Sequence, residues 1–162
     1  NGKPMVQYVI DVLSTICTKI LIVSNNPEYK QFGSDVVEDI YKYKGPIGGI
    51  YTGLKNSETE INLCVSCDTP NINTDIFNLL LKDTENHDVV LPSYQGRLHP
   101  LIGLYKSSCK TIFETQIKND VLKVETACEL LNYKRVELTK NDIDSTVFDN
   151  INTLQELNKI NK

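Results

Sequence analysis

The sequence lacks any run approaching the roughly 18 apolar residues that a membrane-spanning helix needs. It also lacks the charged start and apolar core of a signal peptide. Internal repeats and low-complexity runs are missing. So is a surplus of positive charge: the net charge is −4 and the pI about 5.2, which argues against a broad electrostatic grip on nucleic acid. A mononucleotide needs only local positive charge and stays compatible with this balance. No Ser-His-Asp or Cys-His spacing suggests a nucleophilic triad. Cys64-x-x-Cys67 has no second pair of ligands at zinc-finger spacing. It also lies at a strand end, whereas the redox motif opens a helix, so neither zinc nor thiol redox chemistry is favoured.

What remains is an ordinary globular mix, 40% apolar and 23% charged over 162 residues, the length of a single domain. The five cysteines are an odd number, and Cys17, Cys109 and Cys128 fall in helical patterns. Free thiols in a reducing, cytoplasmic setting are expected.

Apolar periodicity alternates between strand and helix. Val6, Val9, Ile10, Leu13, Ile16 and Cys17 follow helical spacing after Pro4. Lys19 to Ser24 is a compact apolar run closed by Asn25-Asn26-Pro27, a buried strand and a turn. A shorter strand covers Asp35 to Asp39. Gly45-Pro46-Ile47-Gly48-Gly49 reads as a loop feeding a helix from Ile50 to Lys55. Strands are expected at Ile61–Ser66, Asp88–Leu91, Leu101–Tyr105 and Arg135–Leu138. Helices are expected near Thr74–Leu81, Ser107–Ile117, Lys123–Leu131 and Thr153–Ile160. This order predicts an α/β fold, a three-layer αβα arrangement around a mainly parallel twisted sheet. Right-handed crossovers would put Ser24–Pro27 and Ser66–Pro70 at the carboxyl edge of that sheet, where such folds bind ligands.

Five features are candidates for chemistry. Asp68, just past a strand, suits Mg²⁺ held by one carboxylate and substrate phosphates; it equally suits an Asx-turn before Pro70. The glycines of Gly45–Gly49 allow close approach to an anion or sugar edge, or simply a tight turn. Asn150 and Asn152 carry carboxamides suited to a polar heterocycle such as a pterin. Thr153-Leu154-Gln155-Glu156 beside them has the form of a capping box. Arg97 suits a phosphate, and His99 suits either a substrate hydrogen bond or a structural one next to Pro100.

Together these segments resemble the molybdenum cofactor guanylyltransferases. Asn1-Gly2-Lys3-Pro4-Met5 is similar to the Asn-Gly-Lys-Pro-Leu that opens their first helix. Val37-Glu38-Asp39 and Gly45-Pro46-Ile47-Gly48-Gly49-Ile50 resemble their acidic stretch and Gly-Pro-Leu-Ala-Gly loop. Cys67-Asp68-Thr69-Pro70 looks like their Cys-Asp-Thr-Pro, and Arg97-Leu98-His99-Pro100 like their Arg-x-His-Pro. Asn150-Ile151-Asn152-Thr153-Leu154-Gln155-Glu156-Leu157 resembles Asn-x-Asn-Thr-Pro-Glu-Glu-Leu, with Leu154 in place of proline. The matches run in family order from end to end.

The resemblance implies a nucleotide-diphospho-sugar-transferase-like, Rossmann-like fold and one nucleotidyltransferase domain over 1–162. It implies transfer of GMP from GTP to molybdopterin, by attack of the pterin's terminal phosphate on the α-phosphorus with release of pyrophosphate. Asp68 would hold Mg²⁺, with Mn²⁺ an alternative, and would act as the catalytic carboxylate. Asn26, Asp39, Gly45 and Asp68 match nucleotide positions; Gly49, Asn150, Asn152, Arg97 and His99 fall to the molybdopterin side. Implied partners are the two small-molecule substrates, with molybdoenzyme apoproteins or other cofactor-assembly proteins beyond them, and neither nucleic acid nor membrane. In the family, a strand and the loop Leu-Ala-Gly-Gly-x-Ser-x-Arg-Met-Gly-x-Asp-Lys precede the segment at which this sequence begins. That loop cradles the triphosphate, and without its strand the sheet would lack a central member. Two alternatives stand beside this reading: a cytidylyltransferase acting on the same pterin, and a nucleotide- or pterin-binding module without catalysis.

Overall fold

A computed structural model describes residues 3–151 together with Thr153 and Glu156. The strand–helix alternation is present, with two sheets among these residues. Helix α1 (Met5–Leu13) follows Pro4, whose φ of −60° already suits helix entry, and it buries Val6, Val9, Ile10 and Leu13 along one face. Strands β1 (Leu21–Val23) and β2 (Asp35–Val37) pair in parallel, Ile22 opposite Val36. Between them Pro27–Phe32 forms a 3₁₀ turn, which its polar composition masked in the sequence.

The first correction concerns Gly45–Gly49. These residues are the opening of helix α2 (Gly45–Asn56) rather than a loop before it. Two glycines and a proline read as a breaker, yet proline is tolerated in a first helical turn. Burial of Ile47, Gly48, Ile50, Tyr51 and Leu54 then rewards the helical spacing. Gly45 has a φ of 60°, and a glycine meets that left-handed geometry without steric cost.

The larger sheet comprises β3 (Ile61–Val65), β4 (Val89–Tyr94), β5 (Arg97–Leu98), β6 (Ile102–Lys106) and β7 (Tyr133–Leu138). β4 and β7 pair in parallel, and β6 lies antiparallel between β3 and β4, so β3, β4 and β7 share one direction. β5 and β6 run along the same strand, β4, at Leu98–Ser93 and Leu104–Val90. Between them His99–Leu101 leaves the ladder, pinned by His99 N–H to the Pro92 carbonyl (3.0 Å) and Ile102 N–H to the His99 carbonyl (3.1 Å). That break sets the segment Arg97–Pro100 at the sheet's edge as a projecting corner.

Side-chain alternation splits the sheet into two buried faces. Val89, Leu91 and Tyr105 pack with α2, α4 (Lys110–Lys118) and α5 (Val124–Cys128). Ile102 and Leu138 pack with α1 and α3 (Thr74–Leu81), and Val90 and Leu104 pack with Leu80 of α3. The three-layer arrangement expected from the sequence is therefore present, but the large sheet is mixed rather than mainly parallel, since the β5–β6 stretch returns antiparallel along β4. Helix α3 occupies Thr74–Leu81 as expected, held at its start by Asn73, whose side chain accepts from the Asp75 and Ile76 amides. Of the expected C-terminal helix, only Thr153 and Glu156 are described. They make the reciprocal bonds of a capping box, Thr153 N–H to Glu156 Oε2 (3.1 Å) and Glu156 N–H to Thr153 Oγ1 (3.2 Å). Asn152 lies outside the described residues.

Gly103 on β6 is the tightest point of this packing. A methyl group there would run into the Leu91 side chain and approach the Val90 carbonyl at 3.3 Å. Gly103→Ala is expected to cost about 1–3 kcal/mol, as overpacking of a filled core does. A urea titration reads this as a lower midpoint at unchanged slope; an unchanged midpoint would show that the core yields at this site.

Candidate active site

The turn that follows β3 carries Asp68, and Thr69 organises it. Thr69, 1% exposed, donates its hydroxyl to the Ser66 carbonyl (2.8 Å), and its own carbonyl accepts from the Ile72 amide (3.2 Å). The Ser66 amide bonds across to the Leu101 carbonyl (2.9 Å), anchoring the turn to the corner before β6. Asp68 is left out of this scheme. Its Oδ1 is buried and has no hydrogen-bond partner among the described residues. An Asx-turn does not account for this side chain, because the residue two further on is Pro70, which has no amide hydrogen to donate. A buried acceptor without a donor costs about 1–3 kcal/mol, so it needs an explanation beyond folding.

The Asp68 carbonyl has a partner of a different kind. It accepts from the Ile151 amide at 2.8 Å, which brings the C-terminal Asn150 beside the β3 turn. Around this junction lies a cavity of about 600 Å³, the scale of a small-molecule site. Pro46 at the start of α2, Ser66 and Thr69 line one part of it; Arg97, His99 and Asn150 line another. Arg97 and His99, from one corner of the sheet, thus share a cleft with Asn150, some fifty residues further along the chain, next to the turn that carries Asp68.

Asn26, Asp39, Gly45 and Gly49 do not line that cavity. Asn26 caps the 3₁₀ turn, its Oδ1 accepting from the Glu28 amide (3.0 Å) and its Nδ2 donating to Glu28 Oε2 (3.2 Å). The neighbouring Asn25, which the sequence did not single out, grips Asp39 twice: Nδ2 donates to Asp39 Oδ2 (2.8 Å) and Oδ1 accepts from the Asp39 amide (3.1 Å). This loop is not remote from Asp68. Tyr29 of the 3₁₀ turn lies against Cys67, whose proximity, with burial, raises the Tyr29 pKa. Burial and then the Asp68 charge raise that of Cys67.

Three further cavity residues escaped the sequence reading. Lys123 and Glu125 face the cleft as an ion pair of 2.7 Å. Phe148 stacks on His99 with ring centroids 4.2 Å apart and on Tyr94 at 5.4 Å. Its position two residues before Asn150 was the available signal. Elsewhere, burial pushes the Cys64 and Cys128 thiols up to about 12 and Cys109 to about 11, so these thiols are inert packing groups. Among the described residues no group of three or more His, Cys, Asp or Glu gathers as a metal cluster, and no helix is long and apolar enough to cross a membrane.

His99 is held below the ordinary imidazole value, first by burial and then by the Arg97 charge. The fold therefore favours neutral His99. Its contribution to stability is complete above the unfolded value of 6.5 and is lost as pH falls through the lower folded value. Urea midpoints measured downward from neutral pH are expected to fall less steeply for His99→Gln than for the parent chain. Equal slopes would mean that His99 is protonated in the fold at no cost.

The family model "MobA-like NTP transferase domain" matches residues 1–127. A probable molybdenum cofactor guanylyltransferase of Clostridium perfringens strain 13 is 40% identical over 146 residues, 85% of this chain and 73% of that protein. One of Flavobacterium johnsoniae is 32% identical over 160 residues, 98% of this chain and 83% of its own length. The molybdopterin-guanine dinucleotide biosynthesis protein A of Archaeoglobus fulgidus superposes with a TM-score of 0.77 at 23% identity, over 98% of this chain and 84% of that one, which shows the shared fold. By its matched domain, its relatives and its architecture, this chain belongs to the MobA-like NTP transferase family.

Proposed function

We propose that the chain transfers GMP from GTP to molybdopterin, forming molybdopterin guanine dinucleotide and pyrophosphate. The observation that carries this reading is the buried, unpartnered Asp68 oxygen beside a cleft shared with Asn150, Arg97 and His99. The similarity to relatives named as molybdenum cofactor guanylyltransferases supports it. The whole chain would act as one nucleotidyltransferase domain, and its thiols suit the cytoplasm.

The acceptor phosphate is already an anion, so the reaction needs no general base. It needs two anions held together and the developing charge on pyrophosphate offset. Arg97 and Lys123 offer cationic groups toward the cleft, and the Asn150 carboxamide offers both a donor and an acceptor for a pterin edge. Neutral His99 can accept or donate without adding charge. On the nucleotide side the Asn25–Asp39 pair presents a fixed carboxylate beside the 3₁₀ turn capped by Asn26. The orphaned Asp68 oxygen fits a hard divalent cation, Mg²⁺ or Mn²⁺, which takes one or two carboxylates and completes its shell from substrate phosphates. Such a cation, when bound, would offset charge between the triphosphate and the protein.

In the complete polypeptide, Asp68→Asn should lower pyrophosphate release from GTP, Mg²⁺ and molybdopterin by about a hundredfold or more. Its urea midpoint should stay close to that of the parent chain, because Asn keeps the shape of the side chain and no hydrogen bond to Asp68 Oδ1 is lost. Near-normal turnover would take Asp68 out of the reaction. Faster turnover with CTP would instead assign cytidylyl transfer, and no turnover with either nucleotide would leave a binding module.

A further inference from the structure

The aromatic contact at the far wall of the cleft has a geometry that packing alone does not require. Phe148 ends the 3₁₀ turn Ser145–Phe148 and directly precedes the cleft segment 149–151. Its ring lies nearly parallel to two others, at 29° to His99 and 28° to Tyr94. Both partners belong to the same edge of the large sheet: Tyr94 ends β4, and His99 is in the corner that leaves the ladder after β5. The turn itself rests on Val147, buried in the core, and on Asp144, whose side chain accepts from the Thr146 amide (3.0 Å). Beyond Phe148, the contact that holds the segment to the nucleotide side is the Ile151 amide on the Asp68 carbonyl.

We propose that Phe148 is a positioning residue for the acceptor substrate: its ring, stacked on His99 and Tyr94, fixes segment 149–151 so that Asn150 and His99 meet the acceptor in a set geometry beside Asp68. This rests on the guanylyl-transfer reading above. The stack joins the sheet corner, which lines the cleft with Arg97 and His99, to the C-terminal segment, which lines it with Asp149 and Asn150. Face-on ring contact constrains orientation as well as distance, which a simple apolar filler would not do. The nucleotide-side residues Asn25, Asn26 and Asp39 lie on other elements, and their hydrogen bonds, Asn25 with Asp39 and Asn26 with Glu28, do not involve Phe148. The effect should therefore be one-sided.

Three variants of the complete polypeptide separate ring stacking from bulk. Phe148→Leu keeps apolar volume without the ring, Phe148→Ala removes both, and Phe148→Tyr keeps the ring. In the Leu and Ala variants the KM for molybdopterin should rise about tenfold or more while the KM for GTP stays within about twofold. The Ile151 amide should exchange its hydrogen faster in the same two variants, and Phe148→Tyr should restore both readings. If Phe148→Leu behaves like the parent in both measurements, bulk suffices and the proposal is overturned. Equal rises in both KM values overturn it as well. Should the parent chain itself release no pyrophosphate, the transfer reading fails on its own account; Ile151 exchange then decides the stack, faster exchange in Phe148→Leu supporting it and unchanged exchange refuting it.

Discussion

A single backbone hydrogen bond, from the Ile151 amide to the Asp68 carbonyl at 2.8 Å, closes the cleft on which the rest of the site depends. One end of it sits in a turn held rigid by Thr69 and tied to Leu101; the other sits just past Asn150. Because it uses main-chain groups only, it leaves the side chains of both partners' neighbours free. Asp68 keeps a carboxylate oxygen without a donor, and Asn150 stays on the cavity wall. The sheet supplies the frame: β3 delivers the Asp68 turn, the break between β5 and β6 delivers His99, and the 3₁₀ turn after β7 delivers Phe148.

The orphaned oxygen is the clearest sign that this frame was not arranged for stability alone. A fold free to optimise itself would pair a buried acceptor or replace it. Here Thr69, Ser66 and Ile72 hold the turn by hydrogen bonds in which Asp68 Oδ1 takes no part. On the proposed reading, its partner is a cation that arrives with the substrate. The same logic explains the neutral state favoured for His99. Burial and Arg97 both oppose its protonation, so the cleft already holding a guanidinium gains no second cation at that point.

Much of this was legible from the sequence, and the reasons are specific. Asp68 was visible because an apolar strand, Ile61 to Val65, stops just before it, and the layer arrangement followed from alternating periods of two and 3.6. Asn150 was visible because the capping box explains Thr153 and Glu156 but leaves the asparagine without a task. Other features were hidden for physical reasons. Local glycine and proline content concealed the first turn of α2, which burial of Ile47 and Ile50 decides. The Asn25–Asp39 grip, the Lys123–Glu125 pair and the Phe148 stack are contacts between distant segments, and periodicity carries no information about which loops meet. Nor could spacing show that one oxygen of Asp68 stands buried without a hydrogen-bond partner.

In the proposed reaction the Asp68 carboxylate completes the coordination of a divalent ion brought in with the nucleotide. Electron–nuclear double resonance on Mn²⁺–GTP bound to protein labelled with ¹³C at aspartate carboxyl groups tests it directly. A strong carboxylate coupling is expected in the parent chain and should vanish in Asp68→Asn. Bound Mn²⁺–GTP with no such coupling, or with a coupling that survives the substitution, would contradict it.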